Sequence, residues 1–268
     1  MHVSVVVPLH NKGKYVIRAL DSIVAQTFVD FEVIVVDDGS TDNSGELARA
    51  YPDERIRVIV QSNRGPGAAR NRGIAEAKGH YVAFLDADDE WMPEYLEISV
   101  RRLDELGPSV ASLTSGYIEY PRRISSEAMW RRRGLQDGLQ TLPEPSNVLA
   151  LQYMSSYMSP CSTVIRTSVV RKHGGFFDHY RCTYGEDAAL SLQILLHECV
   201  YFQMRPLICF HREASDLSAN YTRPRTLEPF LTNPGGVLLM LPRGTPSSAA
   251  SFPGFACLQG GSDAGVLG

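Results

Sequence analysis

The sequence predicts an α/β protein with a mostly parallel central sheet and helices on both faces. Four short runs rich in valine, isoleucine and phenylalanine recur in the first half of the chain. Their near-continuous apolar character is typical of strands buried on both faces. Between them, apolar residues recur at three- and four-residue spacing, which indicates helices packed against that sheet. Alternation of this kind implies parallel strands joined by right-handed crossovers.

The elements of the first half follow from these runs and from the residues that interrupt them. Pro8 stops the first strand, Pro66 lies at a plausible first turn of a helix, and Gly79 closes that helix. The predicted strands cover residues 3–7, 31–36, 57–60 and 81–85, and the predicted helices cover residues 15–24, 43–51, 66–79 and 93–107.

The second half shows weaker periodicity. We expect a strand over residues 110–120, then a long loop or lid over residues 121–147, where five arginines occur without a regular pattern. A strand over 161–166, a helix over 186–197 and a last strand over 207–211 follow.

Length and composition predict one domain with a substantial core. The chain has 268 residues, of which 44% are hydrophobic and 21% charged. We expect a domain over residues 1–220, divided into halves over residues 1–107 and 108–220. The Gly-, Ser- and Pro-rich tail, residues 221–268, is expected to be poorly ordered.

Charge and cysteine content exclude several classes of protein. A net charge of −4 provides no overall basic field for nucleic acid. Five cysteines without CxxC spacing argue against a disulfide framework and a zinc site, and they favour the cytoplasm. No signal peptide is expected before Pro8, and no apolar run reaches the length of a membrane span.

Polar residues follow three of the predicted strands at their carboxyl ends, where ligands bind in open parallel sheets. They lie in the turns 8–12, 37–42 and 86–89. Asp86, Asp88 and Asp89 would repel one another unless they share a cation. Carboxylate oxygens suit Mg²⁺ or Mn²⁺, and such an ion would clamp a diphosphate.

Five motifs, in order, carry a resemblance to a known family. They are VVVPLHN at residues 5–11, VVDDGSTD at residues 35–42, NRG with ARNRG at residues 63–65 and 69–73, FLDADD at residues 84–89, and GED at residues 185–187. Over residues 3–218 the chain resembles the family-2 glycosyltransferases, which have the GT-A fold of a nucleotide-sugar-binding sheet.

The resemblance implies that residues 1–107 form the nucleotide-binding half and residues 108–220 the acceptor and catalytic half. It also implies roles for individual residues. Asp187 corresponds to the catalytic base, and Glu186 is expected to be structural or to face the acceptor. The implied metal ligands are Asp88, Asp86 and His211, with Asp86 near the ribose or the metal. The implied contacts with the nucleotide sugar are Pro8, His10 and Lys12 in the nucleotide pocket, Asp38 on a uracil-like base, Arg70 and Asn71 beside the base and ribose, and Arg212 on the leaving diphosphate.

The implied reaction is inverting transfer of a single sugar from a UDP-sugar to a hydroxyl of a glycan or lipid-linked acceptor, in cell-surface glycan or polysaccharide biosynthesis. The QxxRW signature of processive synthases is absent, which favours single transfer over chain extrusion. We expect a cytoplasmic protein that is able to associate peripherally with the inner face of the membrane.

Other classes fit less well. A Rossmann dehydrogenase would carry GxGxxG after the first strand, where this chain has PLHNKGK. A phosphatase of the haloacid-dehalogenase type would carry its aspartate on the first strand, and a sugar-nucleotide pyrophosphorylase would have a glycine-rich first loop. A nucleotide-sugar-binding protein that has lost transfer remains an open alternative.

Overall fold

The computed structural model describes residues 1–140, 148–183 and 185–214. Ten strands form one sheet within these residues. They are β1 Val3–Leu9, β2 Phe31–Asp38, β3 Ile56–Gln61, β4 Tyr81–Phe84, β5 Glu90–Trp91, β6 Val110–Tyr120, β7 Ile124–Ser125, β8 Gly138–Gln140, β9 Thr163–Arg166 and β10 Cys199–His211. The helices are α1 Val16–Val24, α2 Ser44–Arg49, α3 Pro66–Glu76, α4 Tyr95–Leu106, α5 Ser126–Arg132, α6 Val148–Tyr157, α7 Thr167–Lys172 and α8 Glu186–His197.

The strand order is β3-β2-β1-β4-β9-β6-β10-β5, with β7 beside β6 and β8 beside β10. Pairing is parallel between β1, β2, β3 and β4 and between β6 and β10. Strand β9 is antiparallel to both β4 and β6, so β6 and β10 run in the same direction as the first four strands. The long strands are therefore parallel, as the sequence predicts.

Alternate residues of β2 pack on opposite faces of the sheet. Val33 and Val35 join the main core, which also contains the apolar stripe of α1. Ile34 and Val36 form a second cluster with two alanines of α3 and its flank, Ala69 and Ala77. Helices therefore cover both faces, and the near-continuous apolar pattern of the strand has this physical cause.

Helix α3 lies very close to β1 because one of its residues has no side chain. A Cβ added at Gly73 would lie 2.2 Å from Cγ1 of Val6. Because α3 follows the carboxyl end of β3, its amino-terminal end lies at the carboxyl edge of the sheet, beside the turns that carry the predicted site.

The second half contains more regular structure than the sequence predicts. The expected loop or lid over residues 121–147 is wrong for its first part, which contains β7, α5 and β8, while residues 141–147 lie outside the described residues. Ser125 caps α5 by accepting a hydrogen bond from the N–H of Glu127 at 3.2 Å. Strand β5 and helices α6 and α7 were not predicted, and β10 begins at Cys199 rather than at Leu207.

The sheet does not break at residue 107. Strand β5, from the first half, pairs with β10 at the far edge of the second half. The expected tail, residues 221–268, lies outside the described residues. Among the described helices, none is both long enough and apolar enough to cross a bilayer.

Candidate active site

The candidate site lies where the order of the strands changes direction. The chain proceeds from β1 to β2 to β3 on one side, and β4 then pairs with the other side of β1. Val6 of β1 is in register with Phe84 of β4, so the 8–12 turn and the 86–89 turn leave the sheet side by side. Ligand sites of open α/β sheets form at such a point.

The 86–89 turn, which we call the acid turn, holds three carboxylates close together. Asp88 and Asp89 are buried and Asp86 is partly exposed. Burial raises the pKa of Asp88 and raises that of Asp89 further, and repulsion from the neighbouring carboxylates adds to both shifts. Two cations partly offset this charge, since Arg70 donates to Oδ1 of Asp86 at 2.7 Å and Nζ of Lys12 lies 2.9 Å from Oδ2 of Asp88.

Two carboxylates of the acid turn contribute to a candidate metal-binding group, and that of Asp88 is not among them. In the described part of the chain, ligand atoms of Asp86, Asp89 and Cys161 lie within 4.8 Å of one another. The thiol of Cys161 is a soft ligand, and burial raises its pKa well above the ordinary value. The carboxylates therefore suit Mg²⁺ or Mn²⁺, whereas Cys161 accepts a hydrogen bond from the N–H of Asp86 at 3.3 Å beneath the turn.

The predicted metal role of His211 stays a prediction, and the structure gives the side chain contacts within the protein. Its Nε2 lies 2.6 Å from Oε1 of Glu90, and its Nδ1 lies 3.0 Å from Oε1 of Glu213. The imidazole also stacks on Tyr120 at 5.1 Å between ring centroids. Carboxylates lie near both ring nitrogens, but within the described residues only Nδ1 makes a hydrogen bond, and the buried Nε2 has none. His211 thus lies among β5, β6 and the end of β10. The backbone N–H of His211 donates a hydrogen bond to Oδ1 of Asp89 at 2.8 Å, and this bond fixes the acid turn.

Lys12 and His10 occupy the turn after β1. Besides Asp88, Nζ of Lys12 donates to the carbonyl of Ala214 at 2.8 Å, so Lys12 joins the start of the chain to the segment after β10. His10 is exposed and contacts the side-chain amide of Asn63 at 3.0 Å. Pro8 lies within β1 and is partly exposed at the same edge.

Asp38 ends β2 and holds the loop that leads into α3. Its carboxylate accepts hydrogen bonds from Nε2 of Gln61 at 2.8 Å, from the N–H of Arg64 at 2.9 Å and from the N–H of Gly65 at 2.8 Å. Gly65 has a φ of 94°, which favours glycine there. The predicted contact of Asp38 with a base stays a prediction, and the structure adds this loop-fixing role.

The predicted placement of Asn71 beside the base and ribose stays a prediction, and the structure adds a role within the protein. Its Nδ2 donates to the carbonyl of Phe176 at 2.8 Å, and its Oδ1 accepts from the N–H of Phe176 at 2.8 Å. Both ends of the amide thus bond the backbone of one residue of the second half, Phe176. Asn71 fixes the segment before α8 against α3.

Arg70 joins the acid turn to the helix that carries the predicted base. Its side chain is only 6% exposed, with Nη1 at 2.9 Å from Oε1 of Glu186 and Nη2 at 2.7 Å from Oδ1 of Asp86. The guanidinium lies 5.2 Å from the ring centroid of Phe176. The predicted position of Arg70 beside the base and ribose stays a prediction, and the structure adds these contacts within the protein. Arg70 sets the distance between the two acidic parts of the site.

Asp187 lies in the first turn of α8, after Gly185, which has a φ of 78°. Burial raises the pKa of Asp187, while Arg70 acts in the opposite direction. The carboxylate accepts a hydrogen bond from the N–H of Ala188 at 2.8 Å. Glu186 is buried against Arg70, which agrees with the expected structural role. Asp187 as a whole residue is partly exposed, whereas Glu186 is buried.

Arg212 follows β10 at the same edge. Its Nη2 donates to Oε1 of Glu119 at 2.5 Å, and half of its side chain is exposed. A predicted role on a diphosphate is compatible with this exposure and stays a prediction.

Sequence reasoning missed two contributors to the site. Asn11 has a φ of 52°, and its Oδ1 accepts from the N–H of Thr41 at 2.8 Å, which fixes the turn after β2. Glu90 holds His211. An asparagine after a strand-ending proline is a recognisable turn signal. The partner of Glu90 lies 121 positions further along the chain, so no local pattern could predict the contact.

The chain is similar in sequence to known glycosyltransferases. The sequence profile described as "Glycosyl transferase family 2" matches residues 4–174. The glycosyltransferase GlyG of Streptococcus pneumoniae is 44% identical over 106 residues, covering 38% of this chain and 35% of that protein. The succinoglycan biosynthesis protein ExoO of Rhizobium meliloti is 44% identical over 110 residues, covering 41% of this chain and 32% of that protein. The matched region spans about a third of the length of these curated relatives.

Solved structures show the same fold. The crystal structure of S. aureus TarS 1-349 in complex with UDP-GlcNAc matches with a TM-score of 0.69 at 23% identity, covering 83% of this chain and 62% of that chain. The UDP complex of the same protein matches with a TM-score of 0.65 at 24% identity, covering 80% and 62%. The fold is the GT-A fold. Because the profile match spans more than half of the chain, this protein belongs to glycosyl transferase family 2.

Proposed function

We propose that this chain is an inverting glycosyltransferase that moves a single sugar from a UDP-sugar to a hydroxyl acceptor. The observation that carries the proposal is the Arg70 bridge, which holds the acid turn and the Asp187 helix at one edge of the sheet. A donor-binding group and a general base must lie together for direct transfer. The TarS complexes contain UDP and UDP-GlcNAc, which supports a uridine nucleotide as the donor carrier.

Asp86 and Asp88 would hold the divalent ion, Mg²⁺ or Mn²⁺, and Asp89 would support them from beneath. When bound, such an ion neutralises the charge of a diphosphate leaving group. Hard oxygen donors and unbalanced negative charge in the acid turn support this assignment. Arg212 would add a second positive charge beside the leaving diphosphate.

Asp187 would accept the proton of the acceptor hydroxyl at its carboxylate. A general base works best when its pKa approaches the working pH, and burial raises the pKa of Asp187 in that direction. Attack from the face opposite the leaving group inverts the anomeric centre. Pro8, His10 and Asp38 would contact the nucleoside, and Lys12 would approach the phosphates from its position beside Asp88.

The acceptor would be a glycan or a lipid-linked sugar, and the reaction would belong to cell-surface glycan or polysaccharide biosynthesis in the cytoplasm. The relationship to ExoO, a succinoglycan biosynthesis protein, supports this class of product. The competing proposal is a nucleotide-sugar-binding protein without transfer activity. The buried Arg70 bridge favours the enzyme, because a binding protein has no need of a fixed carboxylate facing an acceptor.

A nucleotide-sugar screen tests the proposal. Purified protein is incubated with Mg²⁺ or Mn²⁺ and each UDP-sugar, with and without a panel of glycan acceptors, and released UDP is measured. We expect UDP release that depends on the acceptor, and a β-linked product from an α-linked donor by nuclear magnetic resonance. Binding of UDP-sugar without release under any acceptor would identify the binding protein instead, and an α-linked product would exclude inversion.

A further inference from the structure

A strongly basic surface lies beside the candidate site and has no role in the proposed reaction. Residues 121–133, which we call the arginine segment, contain five arginines and one glutamate, a net charge of +4 in a chain whose net charge is −4. All five arginines are exposed; they are Arg122, Arg123, Arg131, Arg132 and Arg133. Because the charge of this surface is opposite to that of the whole chain, we expect it to attract a negatively charged partner.

The segment is attached directly to the edge that carries the site. It begins where β6 ends at Tyr120, whose ring stacks on His211. The guanidinium of Arg123 lies 5.7 Å from the ring centroid of Tyr120. Helix α5 then places Arg131 and Arg132 in its last turn. A partner bound here would therefore lie next to the carboxyl edge of the sheet.

One apolar residue indicates what kind of partner fits. Ile124 follows Arg123 directly and is 51% exposed, one of few large apolar side chains so exposed among the described residues. A soluble polyanion makes no favourable apolar contact with an isoleucine side chain. At a membrane interface, however, an apolar side chain can enter the headgroup region while long arginine side chains reach the phosphates around it.

We propose that the arginine segment binds the anionic lipid headgroups of a membrane leaflet. Such binding would hold the carboxyl edge of the sheet, which carries the candidate site, at the bilayer, where a lipid-linked acceptor would present its sugar. The choice of acceptor rests on the proposed function, but binding to lipid does not, so the two can be tested separately.

Sedimentation of the full chain with vesicles tests the proposal. Vesicles of phosphatidylglycerol mixed with phosphatidylcholine should bind the protein, with binding weakened by high salt, and vesicles of phosphatidylcholine alone should not. Replacing Arg131 and Arg132 together by glutamine should lower the partition coefficient at least roughly tenfold, because each basic residue near an anionic surface strengthens binding by about fivefold. Ile124→Ser should weaken vesicle binding without changing retention on soluble polyphosphate.

Arg101 and Arg102 of α4 provide a matched control. They too are adjacent, exposed arginines on a helix, and Arg101 pairs with Glu97 four residues away just as Arg131 pairs with Glu127. Arg102 lies over Tyr201, near the start of β10 and at the other end of that strand from His211. Replacing this pair by glutamine should leave vesicle binding unchanged.

Three results would overturn the proposal: no sedimentation of the unaltered protein with anionic vesicles, an equal loss in the α4 control, or full vesicle binding by Ile124→Ser with complete competition by polyphosphate. The last result would assign the surface to a soluble polyanion. Calorimetric binding of UDP to the same variants reports on the donor site independently, so loss of lipid binding and failure of the proposed transfer are distinguishable.

Discussion

At the scale of single residues, Arg70 holds two carboxylates that lie 100 positions apart in the chain, Asp86 and Glu186. Glu186 is buried, so removing its partner leaves an uncompensated charge. We expect Arg70→Met to lower the free energy of unfolding by about 3–5 kcal/mol. Urea denaturation measures this change.

A double-mutant cycle with Glu186→Gln isolates the pair. The double variant should be clearly more stable than the sum of the two single changes predicts, because the neutral glutamine no longer needs the cation. Simple additivity would mean that the two side chains do not interact.

Asp187 governs the proposed proton transfer. Burial raises its pKa, and only the ionised carboxylate can accept a proton, so turnover should fall as the pH is lowered through that raised value. The acid limb of the turnover profile should therefore lie above the ordinary pKa of an aspartate. Asp187→Asn should lower turnover by about 10²- to 10⁴-fold and retain UDP affinity. Near-full turnover in this variant would assign the base to another group.

Asp88 is a proposed metal ligand, and its replacement tests whether UDP binding depends on a metal held there. Asp88→Asn keeps the shape and removes the charge, and we expect metal-dependent UDP binding to weaken by at least roughly tenfold, about 1.4 kcal/mol. Chelation of the metal should reduce UDP affinity in the unaltered protein and have little further effect on the variant. Calorimetry with and without chelator measures both, and identical metal dependence in the two proteins would contradict the assignment.

At the scale of elements, Glu198 ties the end of α8 to the end of α7. Lys172 lies 2.6 Å and His173 2.8 Å from its Oε1, and the hydrogen bond from His173, followed by that from Lys172, lowers the pKa of Glu198. A lowered pKa stabilises the fold above the pKa of the unfolded chain, and this stabilisation is lost as the pH falls through the folded value.

We therefore expect Glu198→Gln to lower the free energy of unfolding at neutral pH by about 1–2 kcal/mol. The difference from the unaltered protein should shrink as the pH falls below about 4. Glu105→Gln, which removes an exposed ion pair with Arg102 on α4, serves as the control and should cost less than about 0.5 kcal/mol. A pH-independent effect at Glu198 would contradict the electrostatic explanation.

Local sequence pattern predicted those elements that are determined by neighbouring residues in the chain. Strands β1 to β4 and helices α1 and α3 follow from runs of apolar residues and from Pro8 and Pro66. Strand β5 has two residues and exists only because β10 lies beside it, which no local pattern records. Helix α5 was missed because its capping residue, Ser125, stood within a stretch dominated by arginine.

At the scale of the whole molecule, the sequence located the site but not its internal connections. The acid turn and the GED motif were found because carboxylates follow strand and helix boundaries. What each side chain contacts depends on partners far along the chain, as with Lys12 and Ala214, 202 positions apart. The contacts within the protein made by Arg70, Asn71 and His211 were therefore not predicted.

Strand β9 has a consequence for how the molecule unfolds. It runs against both neighbours and is the strand through which β4 of the first half and β6 of the second half are connected. Without β9, the edge strand of each half, β4 or β6, lacks a hydrogen-bonded neighbour. Unfolding of one half alone would therefore expose an unpaired strand edge on the other half. We expect a single cooperative transition, in which native-state hydrogen exchange gives the amides of β4 and β6 the same opening free energy. Exchange at two distinct free energies would reveal halves that open independently, and the acid turn and the Asp187 helix would then be able to separate while each remained folded.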